Sequence, residues 1–164
     1  MPHIALLACG NPSRGDDALG PLFMDAIVLR RAARPHWPDI ETISDFQLQV
    51  EHATDLERAD LVLFVDADAA GTAPARLTRL RAEADVGYTT HALPPAKVLA
   101  VFERFYDRPA PPAFLLALYG ERFELGEALT AAAKEALDAG LALTEKLFAQ
   151  AELEAWQALS DQGT

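Results

Sequence analysis

The 164-residue chain holds a single cysteine, Cys9, so neither an internal disulfide nor a thiolate metal cluster can be built from it, a usage that suits a reducing cytoplasm better than secretion. Positive charge is also scarce: 14 Lys and Arg face 25 Asp and Glu, for a formal charge of −11. A surface of that sign repels polyanions, and nucleic acid is excluded as the expected partner. No apolar run reaches the ~18 residues of a membrane span. The opening MPHIALLACG has no basic start and is followed at once by NPSRGDD, so it reads as a first strand rather than a signal peptide. Fixed-period repeats and low-complexity stretches are missing too, which removes solenoids and linkers. What is present, 51% hydrophobic and 24% charged residues, predicts one globular domain over residues 1–164, soluble and cytoplasmic, with a small ligand or another protein as partner.

Apolar runs of strand length alternate with stretches of helical period. Strands are expected at His3 to Cys9, Asp39 to Phe46, Leu61 to Val65, Ala75 to Ala82 and Phe114 to Tyr119. The fourth of these alternates Arg76, Arg79 and Arg81 with Leu77 and Leu80, as a half-exposed edge strand does. Helices are expected from about Asp17 to Arg31, at Leu48 to Ala59 with an acidic outer face, at Pro94 to Tyr106, and from Glu127 to about Ser160 as one long helix or two, with Gly140 as the weak point. Strands separated by helical crossovers predict an α/β three-layer sandwich: a central, mostly parallel twisted sheet with helices on both faces. Sites in such sheets lie at the carboxyl ends of the strands.

Two of those ends carry acids. Gly10-Asn11-Pro12-Ser13-Arg14-Gly15 has the glycine spacing of a phosphate loop, yet Asp16-Asp17 follows where that loop needs Lys and Ser or Thr, and the dinucleotide spacing of glycines is absent as well. A strand-loop-helix corner that presents its own anions suits a cation; Asp16 and Asp17 either hold one or cap the helix. Asp66 directly follows five apolar residues, which sets it at the mouth of the sheet, and one of Asp66 and Asp68 is expected to face the site. Among the histidines, His3, His36 and His52 fit surface or packing roles, whereas His91 precedes the Pro94 helix in a loop that can reach the strand ends. Two carboxylates and an imidazole from separate loops suit nickel, zinc, iron or manganese. Cys9 reads as a small apolar strand residue.

Asn11-Pro12-Ser13-Arg14-Gly15-Asp16-Asp17-Ala18-Leu19-Gly20 resembles the GNP-x-RGDD-x-x-G signature of the hydrogenase maturation endopeptidases. Val65-Asp66-Ala67-Asp68, Thr90-His91-Ala92-Leu93 and the stretch from Gly120 to Thr130 resemble, in order, that family's later motifs, so that the likeness spans about residues 3 to 147. The resemblance implies an α/β fold and an endopeptidase that removes the carboxyl-terminal extension of a nickel-iron hydrogenase large-subunit precursor once nickel is in place. It implies Asp17, Asp66 and His91 as metal-contacting and catalytic residues, with Asp16 capping or orienting. Nickel would be carried by the substrate, with zinc or cadmium able to replace it in crystals. A permanent catalytic ion is the opposing expectation, although no HExxH helix is present. A nickel chaperone or sensor that cuts nothing is the alternative function. Roles for Asp68 and Glu121 stay open.

Overall fold

The computed structural model describes residues 1–84 and 93–161. Its strands are β1 (His3–Cys9), β2 (Asp39–Asp45), β3 (Leu61–Asp68), β4 (Ala75–Leu80) and β5 (Ala113–Tyr119), joined in one sheet in the order β2-β1-β3-β5-β4. All neighbours are parallel except β4, which runs antiparallel to β5 and forms an edge, as its alternating arginines predict. Parallel strands buried on both faces need continuous apolar sequence, and β1 and β3 have it: Ile4 to Ala8 and Leu61 to Val65 are almost fully buried.

The helices α1 (Leu19–Arg31), α2 (Pro95–Tyr106), α3 (Ala131–Ala149) and α4 (Leu153–Asp161) divide between the faces. On one face Ile4, Leu6, Leu63 and Leu116 pack against Phe23 and Ile27 of α1, Leu147 of α3 and Trp156 of α4. On the other, Leu7, Cys9 and Phe64 pack against Leu99 and Phe102 of α2 and against Leu56. The expected α/β three-layer sandwich is therefore the observed one. No helix among the described residues is long and apolar enough to cross a membrane.

Two segments differ from the sequence expectation. Residues 48–59 contain not an amphipathic α-helix but a 3₁₀ segment, Val50–Leu56, whose buried Ala53 and Leu56 stand three apart, the repeat of that tighter coil. The last long helix starts at Ala131 rather than Glu127, because Thr130 caps it, its Oγ1 accepting the Ala133 N–H at 3.2 Å. It breaks after Ala149 and not at Gly140. Gly140 marks a close approach: a Cβ there would come within 2.5 Å of Leu118 Cδ2 on β5. The chain then reverses, and α4 is anchored by Trp156, whose Nε1–H donates to the Leu147 carbonyl at 2.9 Å while its ring meets Phe114 edge-on.

The chain leaves β1 through α1 on one face to reach β2, then returns by the 3₁₀ segment on the other face to β3 on the far side of β1. Strand order reverses between β1 and β3, which opens a crevice at their carboxyl ends. Both acidic motifs lie there.

Candidate active site

Past Cys9 the chain turns in consecutive tight steps: Ser13 N–H donates to Asn11 Oδ1 at 2.9 Å, Arg14 N–H to the Asn11 carbonyl at 3.1 Å, and Asp17 N–H to the Arg14 carbonyl at 3.0 Å. A 3₁₀ segment, Gly15–Ala18, then leads into α1. The tight coil separates the acidic pair, so that Asp16 is fully buried and Asp17 half-buried at the mouth.

Asp16 caps nothing in its own helix. Its Oδ2 accepts the Glu121 N–H at 2.7 Å, the Arg122 N–H at 3.2 Å and the Thr130 hydroxyl at 2.7 Å, and its Oδ1 accepts the Thr130 N–H at 2.8 Å. Burial pushes its pKa up, but the Thr130 hydroxyl and N–H and the Glu121 and Arg122 N–H groups outweigh it and hold the carboxyl below its ordinary range. Two backbone bonds complete the tie, Asp16 N–H to the Arg122 carbonyl at 2.7 Å and Gly126 N–H to the Ser13 carbonyl at 2.9 Å. Gly15 permits it with φ +55° and with no side chain to strike the Arg122 carbonyl, which a Cβ would meet at 2.5 Å. The loop after β1 and the loop after β5 are thus one hydrogen-bonded body, and Asp17 projects from it. Asp17 Oδ2 accepts the Asn11 N–H at 2.7 Å, which fixes the carboxylate against its own loop.

Strand register supplies the other side of the mouth. Asp45 pairs with Cys9; Ala8 pairs with Val65, which sets Asp66 beside Cys9; Asp66 pairs with Ala117; and Ala117 pairs with Arg76. Paired residues share a face, so Asp45, Cys9, Asp66, Ala117 and Arg76 form a row across the sheet on the α2 side. Sequence reasoning expected only one of Asp66 and Asp68 to face the site. Alternation puts both on this face, with Asp68 Oδ1 accepting the Ala70 N–H at 2.9 Å in a turn of its own.

Asp66 is an exposed residue, yet protein crowds its carboxyl. That crowding, with the charges of Asp17 and Asp68, pushes its pKa up to about 7 against the opposing effect of the Ala67 N–H, which donates to Oδ1 at 2.8 Å. Asp17, in the loop after β1, and Asp66, in the neighbouring β3, are close enough for their charges to act on each other. A divalent cation would relieve that repulsion, and two hard oxygen donors with open positions between them suit such an ion. Cys9 is buried, and burial followed by the charges of Asp66, Asp45 and Asp17 pushes its thiol up to about 12, so it stays protonated at neutral pH and supplies no thiolate.

Of the three expected ligands, Asp17 and Asp66 both lie near the carboxyl ends of β1 and β3, while His91 lies outside the described residues. Among the described residues no three His, Cys, Asp or Glu side chains converge to hold a metal. Sequence reasoning missed Asp45, which ends β2 as an acid just as Asp66 stands near the end of β3. It also placed His52 on a surface helix. His52 is buried; its Nδ1 accepts the Gln49 N–H at 2.8 Å, and Nε2 faces Asp45 Oδ2 at 3.5 Å. Gln49 and His52 close a reciprocal capping box, which lacks the Ser/Thr-x-x-Glu/Gln signature and so left no signal in the sequence.

Together these features define an α/β protein with a doubly acidic crevice at its topological switch point. No family model matches the chain, and no curated protein matches it in sequence. Solved structures do match in shape. The hydrogenase maturating endopeptidase HybD from E. coli superposes with a TM-score of 0.67 over 87% of this chain and 89% of its own, at 21% identity. The [NiFe] hydrogenase maturation protease HycI from Thermococcus kodakarensis gives 0.63 over 87% and 90%, also at 21% identity. HybD from the same organism gives 0.64 over 89% and 99%, at 14% identity. The chain has the fold of the hydrogenase maturation endopeptidases.

Proposed function

We propose that the protein is a metal-dependent endopeptidase that removes the carboxyl-terminal extension of a nickel-iron hydrogenase large-subunit precursor after nickel insertion. The observation that carries this reading is the Asp17–Asp66 pair at the switch point of a fold shared with solved maturation endopeptidases. The nickel belongs to the substrate. Asp17 and Asp66, with His91, which precedes α2 in the sequence, recognise it and so fix the adjacent peptide. Polarisation of the scissile carbonyl and activation of water are the chemistry the ion supplies. Asp16, through Thr130 and the loop after β5, keeps Asp17 at the mouth. Asp66 is the carboxylate that accepts the proton of the attacking water as the new C–O bond forms; that proton passes to the leaving amine as the C–N bond breaks. The buried, unpaired Cys9 fits operation in the cytoplasm.

Incubation of the purified protein with nickel-loaded and nickel-free precursor tests this reading. Shortening of only the loaded form supports it. Tight nickel binding with neither form shortened would favour a nickel chaperone or sensor instead.

A further inference from the structure

Beside Asp66, at the carboxyl ends of β3 and β5, lies a cleft of ≈ 280 Å³ whose walls include Asp68, Gly71, Thr72, Arg76, Ala117 and Tyr119. It continues the row already described: Arg76 stands across the small Ala117 from Asp66 on the same sheet face. In a chain of net charge −11 this cation is exposed, and it forms no ion pair with any described residue. The backbone N–H groups of Gly71 and Thr72 donate to no protein acceptor among the described residues. Asp68 also lines the cleft: its Oδ1 accepts the Ala70 N–H, while its Oδ2 lies beside Gly71, so a bound carboxylate must be held by Arg76 against this one negative charge.

We propose that this cleft is a subsite for a carboxylate of the substrate polypeptide, with the Arg76 guanidinium as its anchor and the Gly71 and Thr72 N–H groups as further donors. The inference rests on the peptidase reading above and adds to it a fixed direction for the bound chain. A guanidinium takes a carboxylate through two parallel hydrogen bonds, which orients as well as attracts. Two strand spacings separate Asp66 from Arg76, about 10 Å, and an extended chain covers that span in about three residues. The crevice therefore reads a cationic centre at Asp17 and Asp66 and an anion about three residues away. The carboxylate is either an acidic side chain or a chain terminus, two sources of one chemistry.

Three acetylated tetrapeptides titrated into the full-length protein and followed by amide NMR decide the matter. One carries a glutamate and a carboxamide end, the second a glutamine and a free carboxyl end, and the third a glutamine and a carboxamide end. The expected result is perturbation of the Gly71, Thr72 and Ala117 amides by the first or the second and none by the third, the responding peptide naming the source. Arg76→Gln weakens that binding about tenfold and Arg76→Lys restores part of it. In cleavage of nickel-loaded precursor, Arg76→Gln raises KM by a similar factor. The subsite is overturned if no peptide perturbs those amides, if the neutral peptide does so equally, or if Arg76→Gln binds as the parent does. Because the titration needs no turnover, a protein that cleaves no precursor would sink the peptidase reading and leave the subsite to be judged on the peptides alone.

Discussion

Asp16 and Thr130, 114 residues apart in the chain, are joined by two hydrogen bonds, the Thr130 N–H to Oδ1 at 2.8 Å and the Thr130 hydroxyl to Oδ2 at 2.7 Å. The same hydroxyl caps α3. One side chain thus closes the loop after β5, starts the last long helix, and holds the loop that presents Asp17.

Asp16→Asn should destabilise the fold by roughly 2–4 kcal/mol, since an amide matches the four donors poorly and loses a charge-assisted contact. The folded carboxyl titrates below its ordinary value, so its contribution is complete above an unfolded pKa of about 3.9 and fades as pH falls through the lower folded value. Urea melts from pH 3 to 7 should show the parent losing stability on the acid side and Asp16→Asn losing much less. Thr130→Ser should retain most of the stability that Thr130→Val loses.

The sign reverses at Asp66. Its folded pKa of about 7 lies above the unfolded value, so its favourable contribution is present below about pH 3.9 and is lost as pH rises through 7. In metal-free protein, Asp66→Asn should raise Tm at pH 8 and leave it nearly unchanged at pH 4, as differential scanning calorimetry would show. Equal shifts at both values would mean that crowding and the neighbouring charges do not raise this carboxyl.

Asp17→Asn keeps shape and size but removes one of the paired charges. Processing of nickel-loaded precursor should fall by about 10²-fold or more, while the melting temperature stays within a few degrees of the parent's. Gel-resolved time courses and thermal melts of the same preparation measure both.

Cys9, with its thiol pushed up to about 12, should react with a thiolate-seeking reagent at pH 8 far more slowly in the folded protein than in urea, by at least about 100-fold. Iodoacetamide labelling followed by mass spectrometry reads the ratio directly.

Gly140→Ala tests the reinterpretation of that glycine. Helix propensity alone favours alanine by about 1 kcal/mol. The Cβ would press on Leu118, which is fully buried, and overpacking costs about 1–3 kcal/mol. Net destabilisation by denaturant titration is the expected outcome.

How far the sequence disclosed all this depends on the range of the interactions. The parallel strands were legible because burial on both faces demands unbroken apolar runs such as Leu61 to Val65. Asp17 and Asp66 stood out because each carboxylate comes soon after such a run, at the end where ligands bind. Gly140 misled because propensity knows nothing of the strand it lies against. The Asp16–Thr130 tie and the row from Asp45 to Arg76 depend on pairing between distant segments, and nothing local encodes a register. His52 was misplaced because its acidic neighbours suggested a solvated helix, whereas the 3₁₀ coil turns it inward.

The central claim, that Asp17, Asp66 and His91 meet around one divalent ion at the strand ends, is tested most directly by a crystal structure of the protein soaked in nickel. The account predicts a single ion in the crevice between β1 and β3, bonded to both aspartates and to the histidine. An unfilled crevice, or an ion bound elsewhere with the three side chains pointing apart, would contradict it.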